Sequence, residues 1–295
     1  MRRTWRACLA IMTAAVCLMM AAGAAAETAF AWLGDTCGSL SEGYDGLSAQ
    51  IDWIIAHAEE QNIRFAVHAG DIVCDWADAR QWRDAANVMG KLDGRVAYSL
   101  LAGYDRIGHG EEAYHPFFAG YAQGRMADAD VRWYENGAAN AQLVDTARGK
   151  ILMLSLSRTP TVQELRWADG ILEEYEDLPA ILLLNRYLNA GGETCSVGAG
   201  IRSALLQRHE QVRLVLCAHE QGTAVTAIAE TCGRPPQSRS VPVLGLGASA
   251  SPEDSQRLWI LRLDEKTDTL TLESRPMDGQ AAEPVLALST AGWFR

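Results

Sequence analysis

The chain has 295 residues, 48% of them hydrophobic and 21% charged. That length suffices for a sizeable core, and the composition is that of an ordinary globular protein rather than a disordered, collagen-like or low-complexity chain. A formal charge of -11 with no basic stripe argues against nucleic acid as a partner, because neutralising phosphates requires clustered Lys and Arg.

The first residues differ in kind from the rest. Arg2, Arg3 and Arg6 precede an apolar stretch from Ala7 to Ala22, which the small residues Gly23 to Ala26 follow. This is the layout of a secretory signal peptide cleaved after Ala26, so residues 1–26 are expected to be removed and 27–295 exported to the cell envelope or the extracellular space as one domain. An uncleaved anchor is the alternative, since 7–26 is just long enough to span a bilayer. No other segment is long and apolar enough to do so. Losing Arg2, Arg3 and Arg6 takes the formal charge from -11 to -14 and leaves five cysteines, Cys37, Cys74, Cys195, Cys217 and Cys232. Export permits disulfides, yet an odd number leaves at least one thiol unpaired or bridged to another chain.

In chain order, Thr28–Leu33 is a short apolar run closed by Gly34-Asp35 and reads as a strand. Cys37 to Asp45 is a polar loop. Leu47, Ile51, Ile54, Ile55 and Ala58 recur at helical spacing, which predicts an amphipathic helix over Leu47–Gln61. Arg64–Ala69 is a second strand. Asp78 suits the N-cap of a helix that buries Trp82, Ala85, Ala86 and Met89, and Gly90 to Gly94 ends it. Val96–Ala102 is a third strand. Strand, helix, strand, helix, strand in this order implies a parallel sheet with right-handed crossovers.

Arg106 to Asn140 reads as an irregular excursion, of the kind that often carries function. Ala141–Val144 and Lys150–Leu156 read as paired strands. Thr161 and Glu164 form a capping box before a helix with Leu165, Ala168, Leu172 and Tyr175 on one face. Ala180–Leu184 is a strand, Ile201–His209 a helix and Val212–Cys217 a strand. The last third reads as strands Thr223–Ala229, Val241–Leu246, Leu258–Leu263 and Thr269–Glu273, the last two forming a hairpin.

The expected strand ends carry Asp35, Asp71, Asp105, Asn185 and His219. Ligands bind beyond the carboxyl ends of strands in open α/β sheets, and carboxylates, an imidazole and an amide at one edge suit a metal centre for hydrolysis. The plainer alternative is that loop edges are polar and that Asp71 only caps a turn. His68 reads as a satisfied core histidine and His57 as an exposed helix residue. His109 sits in a Gly-His-Gly loop as a remote candidate for a replacement ligand, and His115 reads as a loop residue. Cys37 and Cys74, just past two neighbouring strands, could bridge, and so could Cys195 and Cys232.

At these residues the sequence resembles the calcineurin-like metallophosphoesterases, in particular their secreted bacterial branch. The resemblance runs from about Phe30 to Glu273 through Asp35-Thr36, IDWIIAHAEEQNIRFAVHAGDIVCDW, AYSLLAGYDR, WADGIL, AILLLNRYL and VRLVLCAHEQG. It implies an α/β, four-layer αββα sandwich and a centre in which two metals about 3.5–4 Å apart clamp a phosphoester and generate a hydroxide nucleophile. It further implies Asp35, Asp71 and His219 as metal ligands, a divalent cation (Mn, Zn or Fe) as cofactor and a small phosphoester as substrate.

Several positions depart from the family pattern. Cys37 stands where His or Gln is expected, Tyr104 for Asn, Asp105 for the His that assists the leaving group, Asn185 for a lone His and Gln221 for the last His. Each of the two metal sites keeps two family ligands, whereas a catalytic zinc normally has three. Two readings therefore stand: a phosphoesterase with a rebuilt, degenerate metal centre, and a pseudoenzyme whose sheet edge binds a cell-surface or other ligand, or is purely structural, with no cofactor.

Overall fold

The computed structural model describes residues 27–34, 36, 44–75, 77–101, 131–218, 225–233, 238–247 and 257–294. Thirteen strands form among them: β1 (Glu27–Leu33), β2 (Ile63–His68), β3 (Ala97–Leu100), β4 (Val131–Tyr134), β5 (Ala139–Thr146), β6 (Gly149–Ser155), β7 (Ala180–Leu184), β8 (Val212–Cys217), β9 (Val225–Cys232), β10 (Arg239–Leu246), β11 (Arg257–Asp264), β12 (Thr269–Pro276) and β13 (Glu283–Ser289). Four α-helices accompany them: α1 (Asp45–His57), α2 (Ala79–Met89), α3 (Val162–Glu174) and α4 (Ser196–Ile201).

The strands make two mixed sheets. One is ordered β13-β12-β11-β1-β2-β3 and the other β4-β5-β6-β7-β8-β10-β9. In the first, β1, β2 and β3 are parallel neighbours, as the alternation of strands and helices requires, and β11–β12 is the expected antiparallel hairpin. In the second, β6, β7 and β8 are parallel.

Side-chain alternation along the strands builds the layers. In β1, Phe30 and Trp32 point between the sheets, while Ala29, Ala31 and Leu33 face α1 and α2. In β7, Ile181 and Leu183 enter the space between the sheets, while Ala180, Leu182 and Leu184 face the helices on the far side. Three apolar cores thus separate four layers, which is the expected αββα sandwich. α1 buries Leu47, Ile51 and Ile54 but leaves Ile55 half-buried, and α2 buries Trp82, Ala85 and Met89 beneath an Asp78 cap that accepts the Arg80 N–H.

Several elements differ from the sequence reading. Val131–Tyr134, expected within the irregular excursion, is an edge strand paired with β5. The second residue of its partner strand is Asn140, whose buried side chain obscures the apolar pattern because a partner lies across the sandwich: it donates to Ser99 Oγ at 3.0 Å, and Ser99 Oγ lies 2.7 Å from Ser155 Oγ. β13 was not expected. It carries Pro284 and lies at a sheet edge, where a missing N–H is tolerated.

The helix expected over Ile201–His209 begins earlier, at Ser196, and closes in a π-helical turn, Arg202–Leu206. Its start is hidden in the sequence by an unusual cap, Cys195, whose sulfur accepts the Gly198 N–H, and by two glycines. Thr161 caps α3 as expected, its Oγ1 accepting from Glu164 N at 3.1 Å. The Glu164 carboxylate also accepts from Ser157 N at 2.7 Å and Ser157 Oγ at 2.6 Å, tying the helix to the chain after β6.

The two glycines of α4 give a matched test. A Cβ on Gly198 would lie 2.4 Å from Tyr187 O, a backbone atom, whereas one on exposed Gly200 meets nothing within 4 Å. Gly200→Ala should stabilise the protein by about 0.5–1 kcal/mol through helix propensity. Gly198→Ala should destabilise it by about 2 kcal/mol or more through overpacking. Urea melts of the two variants measure both.

Candidate functional site

The parallel strands of both sheets end side by side. Ala69 N donates to Leu33 O, Leu101 N to His68 O and Ala218 N to Asn185 O, each at 3.0 Å. These bonds put the ends of β1, β2 and β3 in one row and those of β7 and β8 in another. Asn185 joins the rows: its Nδ2 donates to Ala69 O at 2.8 Å and to Asp71 Oδ2 at 3.2 Å. The carboxyl ends of β2 and β7 therefore meet across the sandwich.

Asp71 is 4% exposed, and Asn185 is fully buried. Asp71 has φ 54° and follows Gly70 at φ 94°, so two successive residues occupy the left-handed region. Gly does so without strain and Asp is among the few other residues that tolerate it. That turn reverses the chain at the end of β2 and carries the carboxylate inward. With Asn185 Nδ2 facing two oxygens, the amide orientation is set, and Asn185 Oδ1 is left as a buried acceptor with no donor among the described residues.

Behind Asp71 a polar chain links the loops after β1 and β2. Gly70 N donates to His68 Nδ1 at 3.2 Å, so that nitrogen is the acceptor and the proton resides on Nε2. His68 Nε2 donates to Thr36 Oγ1 at 3.2 Å, and the Thr36 hydroxyl donates to Ile72 O at 3.3 Å. Tyr44, the left-handed residue before α1, adds its hydroxyl to Ile72 O at 2.8 Å. His68 is thus the satisfied core histidine expected. Burial pulls its pKa down to about 4, and the nearby Asp71 charge offsets only part of that effect. Further along, Gln81 Oε1 accepts from Cys74 N at 2.9 Å and Asp75 N at 3.0 Å, fastening the rest of this loop to α2.

Of the expected metal ligands, Asp71 is at the site. Asp35 and His219 lie outside the described residues, as do Cys37, Tyr104, Asp105, Arg106, His109, His115, Glu220 and Gln221. Among the described residues no cluster of three or more His, Cys, Asp or Glu side chains could hold a metal. The described donors at the edge are both oxygens, the Asp71 carboxylate and the orphaned Asn185 Oδ1. An orphaned buried acceptor beside a carboxylate fits a hard divalent cation, which takes oxygen ligands.

Two expectations need correction. Cys195 and Cys232 do not pair; with Cys217 they are free and buried. Cys195 is occupied as the α4 cap, and its thiol neighbour is Cys217, whose pKa is pushed up to about 12 chiefly by burial. His57 is half-buried rather than exposed, because its ring stacks on Trp53 at 4.3 Å and its Nδ1 lies 2.8 Å from Trp53 O. Thr36, Tyr44 and Gln81, which shape the site, were not singled out individually. Only the Asp35-Thr36 dipeptide pointed to the first of them.

No family model matches the chain. Among curated proteins, the uncharacterized protein YvnB of Bacillus subtilis (strain 168) is 29% identical over 195 residues, 64% of this chain and 15% of YvnB, so the match spans a small part of that relative. Among solved structures, GAP50, described as the anchor in the inner membrane complex of Plasmodium, superposes with a TM-score of 0.55 at 12% identity, covering 90% of this chain and 88% of GAP50. The purple acid phosphatase PPD1 from seeds of yellow lupin (Lupinus luteus) superposes at 0.56 with 13% identity, covering 89% of this chain and 54% of PPD1. At these identities the likeness shows the fold alone, and that fold is the α/β sandwich of metallophosphoesterase type.

The His68 environment yields a pH test. Below pH 6.5 the unfolded chain binds a proton here that the native state refuses until about pH 4. Stability is therefore greater above pH 6.5 and is lost as pH falls through this window. Urea midpoints measured from pH 7 to 4 should show this slope, and His68→Gln should reduce it by one proton.

Proposed function

We propose that this is an exported phosphoesterase-type protein whose sheet edge holds at most one divalent cation, weakly, and hydrolyses phosphoesters slowly or not at all. The observation that carries the reading is the Asn185 amide bound to Asp71 Oδ2. Asp71 stands where the resembled family has the carboxylate shared by two metals, and Asn185 where it has a ligand histidine. An amide N–H donating to that carboxylate occupies an oxygen that a second metal would need, and it does so without a second positive charge. Asp71 and Asn185 Oδ1 would hold a single cation, together with Asp35 and His219 from the sequence pattern. Such a cation would polarise a phosphoryl oxygen. The chain's own contribution is positional: the left-handed turn and the His68–Thr36 chain fix Asp71, and Asn185 fixes the opposite strand end.

Export is supported by the N-terminal layout and by Cys74, which is disulfide-bonded. Structural disulfides persist in oxidising compartments. The two solved neighbours, one described as an anchor and one as a phosphatase, represent the two uses to which such a fold can be put.

The test is elemental analysis of purified Glu27–Arg295, with hydrolysis of an aryl phosphodiester and an aryl phosphomonoester under added Mn and Zn. At most one metal per chain and slow or undetectable turnover are expected. Restoring the family residues together, Tyr104→Asn, Asp105→His, Asn185→His and Gln221→His, should raise metal stoichiometry, and single changes should do little because ligands of one site act as a unit. Two tightly held metals in the natural protein, with turnover abolished in Asp71→Ala, would establish a working two-metal enzyme and refute this reading.

A further inference from the structure

We infer that cleavage between Ala26 and Glu27 supplies a structural ion pair: the α-ammonium it creates on Glu27 binds the buried Glu265 carboxylate at the amino end of β1. The inference rests on the export reading above and is independent of any metal at the opposite end of the sandwich. Glu265 is 6% exposed. Its Oε1 accepts from Thr28 Oγ1 at 3.1 Å and from Ala147 N at 3.0 Å. Its Oε2 is buried and has no hydrogen-bond partner among the described residues. A buried carboxylate oxygen without a donor is costly, so this one marks a place for a positive group.

The cations nearby are engaged elsewhere. Arg148 Nη1 donates to the backbone Glu265 O at 3.4 Å and to Asp268 Oδ1 at 2.5 Å. Arg262 donates to Glu273 and Gln61, and it lies 3.7 Å from the Glu27 carboxylate. The Glu27 nitrogen is the remaining candidate, and the strand pairing brings it here. Glu27 stands opposite Asp264, and Glu265 is the next residue after Asp264. Thr28, the residue after Glu27, already donates to the same carboxylate. A chain that begins at Glu27 therefore begins against Glu265.

Hydrolysis of the Ala26–Glu27 bond adds one water. The Ala26 carbonyl gains the oxygen and leaves as a carboxylate, and both protons pass to the Glu27 nitrogen. A neutral amide with one donor becomes a cation with three. The charged groups on the elements that meet here are Asp264, Glu265, Lys266 and Asp268 in the β11–β12 turn, Arg262 on β11, Arg148 with the Asp145–Lys150 pair at the β5–β6 turn, and Glu27 itself. Exposed Glu60 and Arg64 flank neutral Asn62, which donates to Glu27 O at 2.5 Å. Pairing with Glu265 raises the pKa of the amine above its unfolded value. The stabilisation is therefore whole below about pH 8 and is lost as pH rises through the folded pKa.

The test starts from the exported protein, whose intact mass should place Glu27 first. Its α-amine, read by nitrogen-15 NMR or by the pH dependence of acylation, should titrate about one unit or more above the ordinary value of roughly 7.7–8.0. A chain beginning at Gly23 carries its ammonium four residues away. It should show an ordinary amine and a lower urea midpoint at pH 7, and the difference in midpoint should vanish above about pH 10. Glu265→Gln in the mature chain should return the amine to the ordinary range, which a loss of packing alone does not do. An exported chain that starts at another residue, an ordinary amine in the mature protein, or equal midpoints for the two chains at pH 7 overturns the inference. If Glu265→Gln fails to fold, the amine titration and the Gly23 chain still decide. An ordinary amine in a chain exported from Glu27 leaves the export reading standing, whereas a chain retained uncleaved removes both.

Discussion

The arrangement of the two sheets' strand ends depends on one amide. Asn185 directly follows the apolar strand β7 and reaches across the sandwich to a backbone carbonyl, Ala69 O, and a side-chain carboxylate, Asp71 Oδ2. Both partners follow β2 of the other sheet, so this residue ties the layers at the edge where loops from both converge, as Ser99 of β3 does through Asn140 and Ser155 of the facing sheet. Between such polar ties the layers are held by apolar packing, which is non-directional and would tolerate sliding. At the opposite end of β1 a different polar tie does comparable work: Glu265 Oε1 accepts from Thr28 and from Ala147 N, joining β1, the β5–β6 turn and the β11–β12 turn. The sandwich is thus tied by several buried, directional bonds as well as packed with hydrocarbon.

Much of this was legible in the sequence, for an identifiable reason. Strands buried on both faces appear as short unbroken apolar runs, and those of β1, β2, β7 and β8 were found within a residue or two. Helices that cover a sheet show a 3.6-residue stripe, as α1 and α2 do. The strand ends were legible because a carboxylate or amide after an apolar run has to face something polar. What escaped was structure whose logic is tertiary. α4 is capped by a thiol and carries in its first turn a glycine, Gly198, against which Tyr187 O presses. β13 is an edge strand with a proline, and β4 a four-residue edge.

The Glu230 cluster shows the same limit. Glu230 is 5% exposed, yet its carboxylate accepts from Tyr187 and Thr194 Oγ1 and pairs with Arg202 Nη1 at 2.9 Å. Burial alone would raise its pKa, but these bonds outweigh it and hold the carboxyl below the ordinary value. Nothing in the sequence marks Glu230 from other acids in alternating edge strands, because its partners come from the loop after β7 and from the π-helical turn after α4. The cluster matters to the site indirectly. Tyr187 lies two residues beyond Asn185, and anchoring its ring fixes the path of the chain as it leaves the strand.

The proposed weak cation site and the stability of the edge are linked by the same substitution. In a two-metal centre the ions themselves bind the strand ends together, since ligands from several loops share them. Where a histidine becomes asparagine, a neutral hydrogen bond to the bridging carboxylate takes over part of that fastening and needs no ion. His68, Thr36 and Tyr44 extend the same neutral fastening to the loops after β1 and β2. On the proposed reading, an edge held in this way would not depend on a cation for its shape. The orphaned Asn185 Oδ1 sets the limit of that independence. A buried acceptor without a donor costs free energy on the order of 1–3 kcal/mol. On the proposed reading, a single bound cation would relieve that cost.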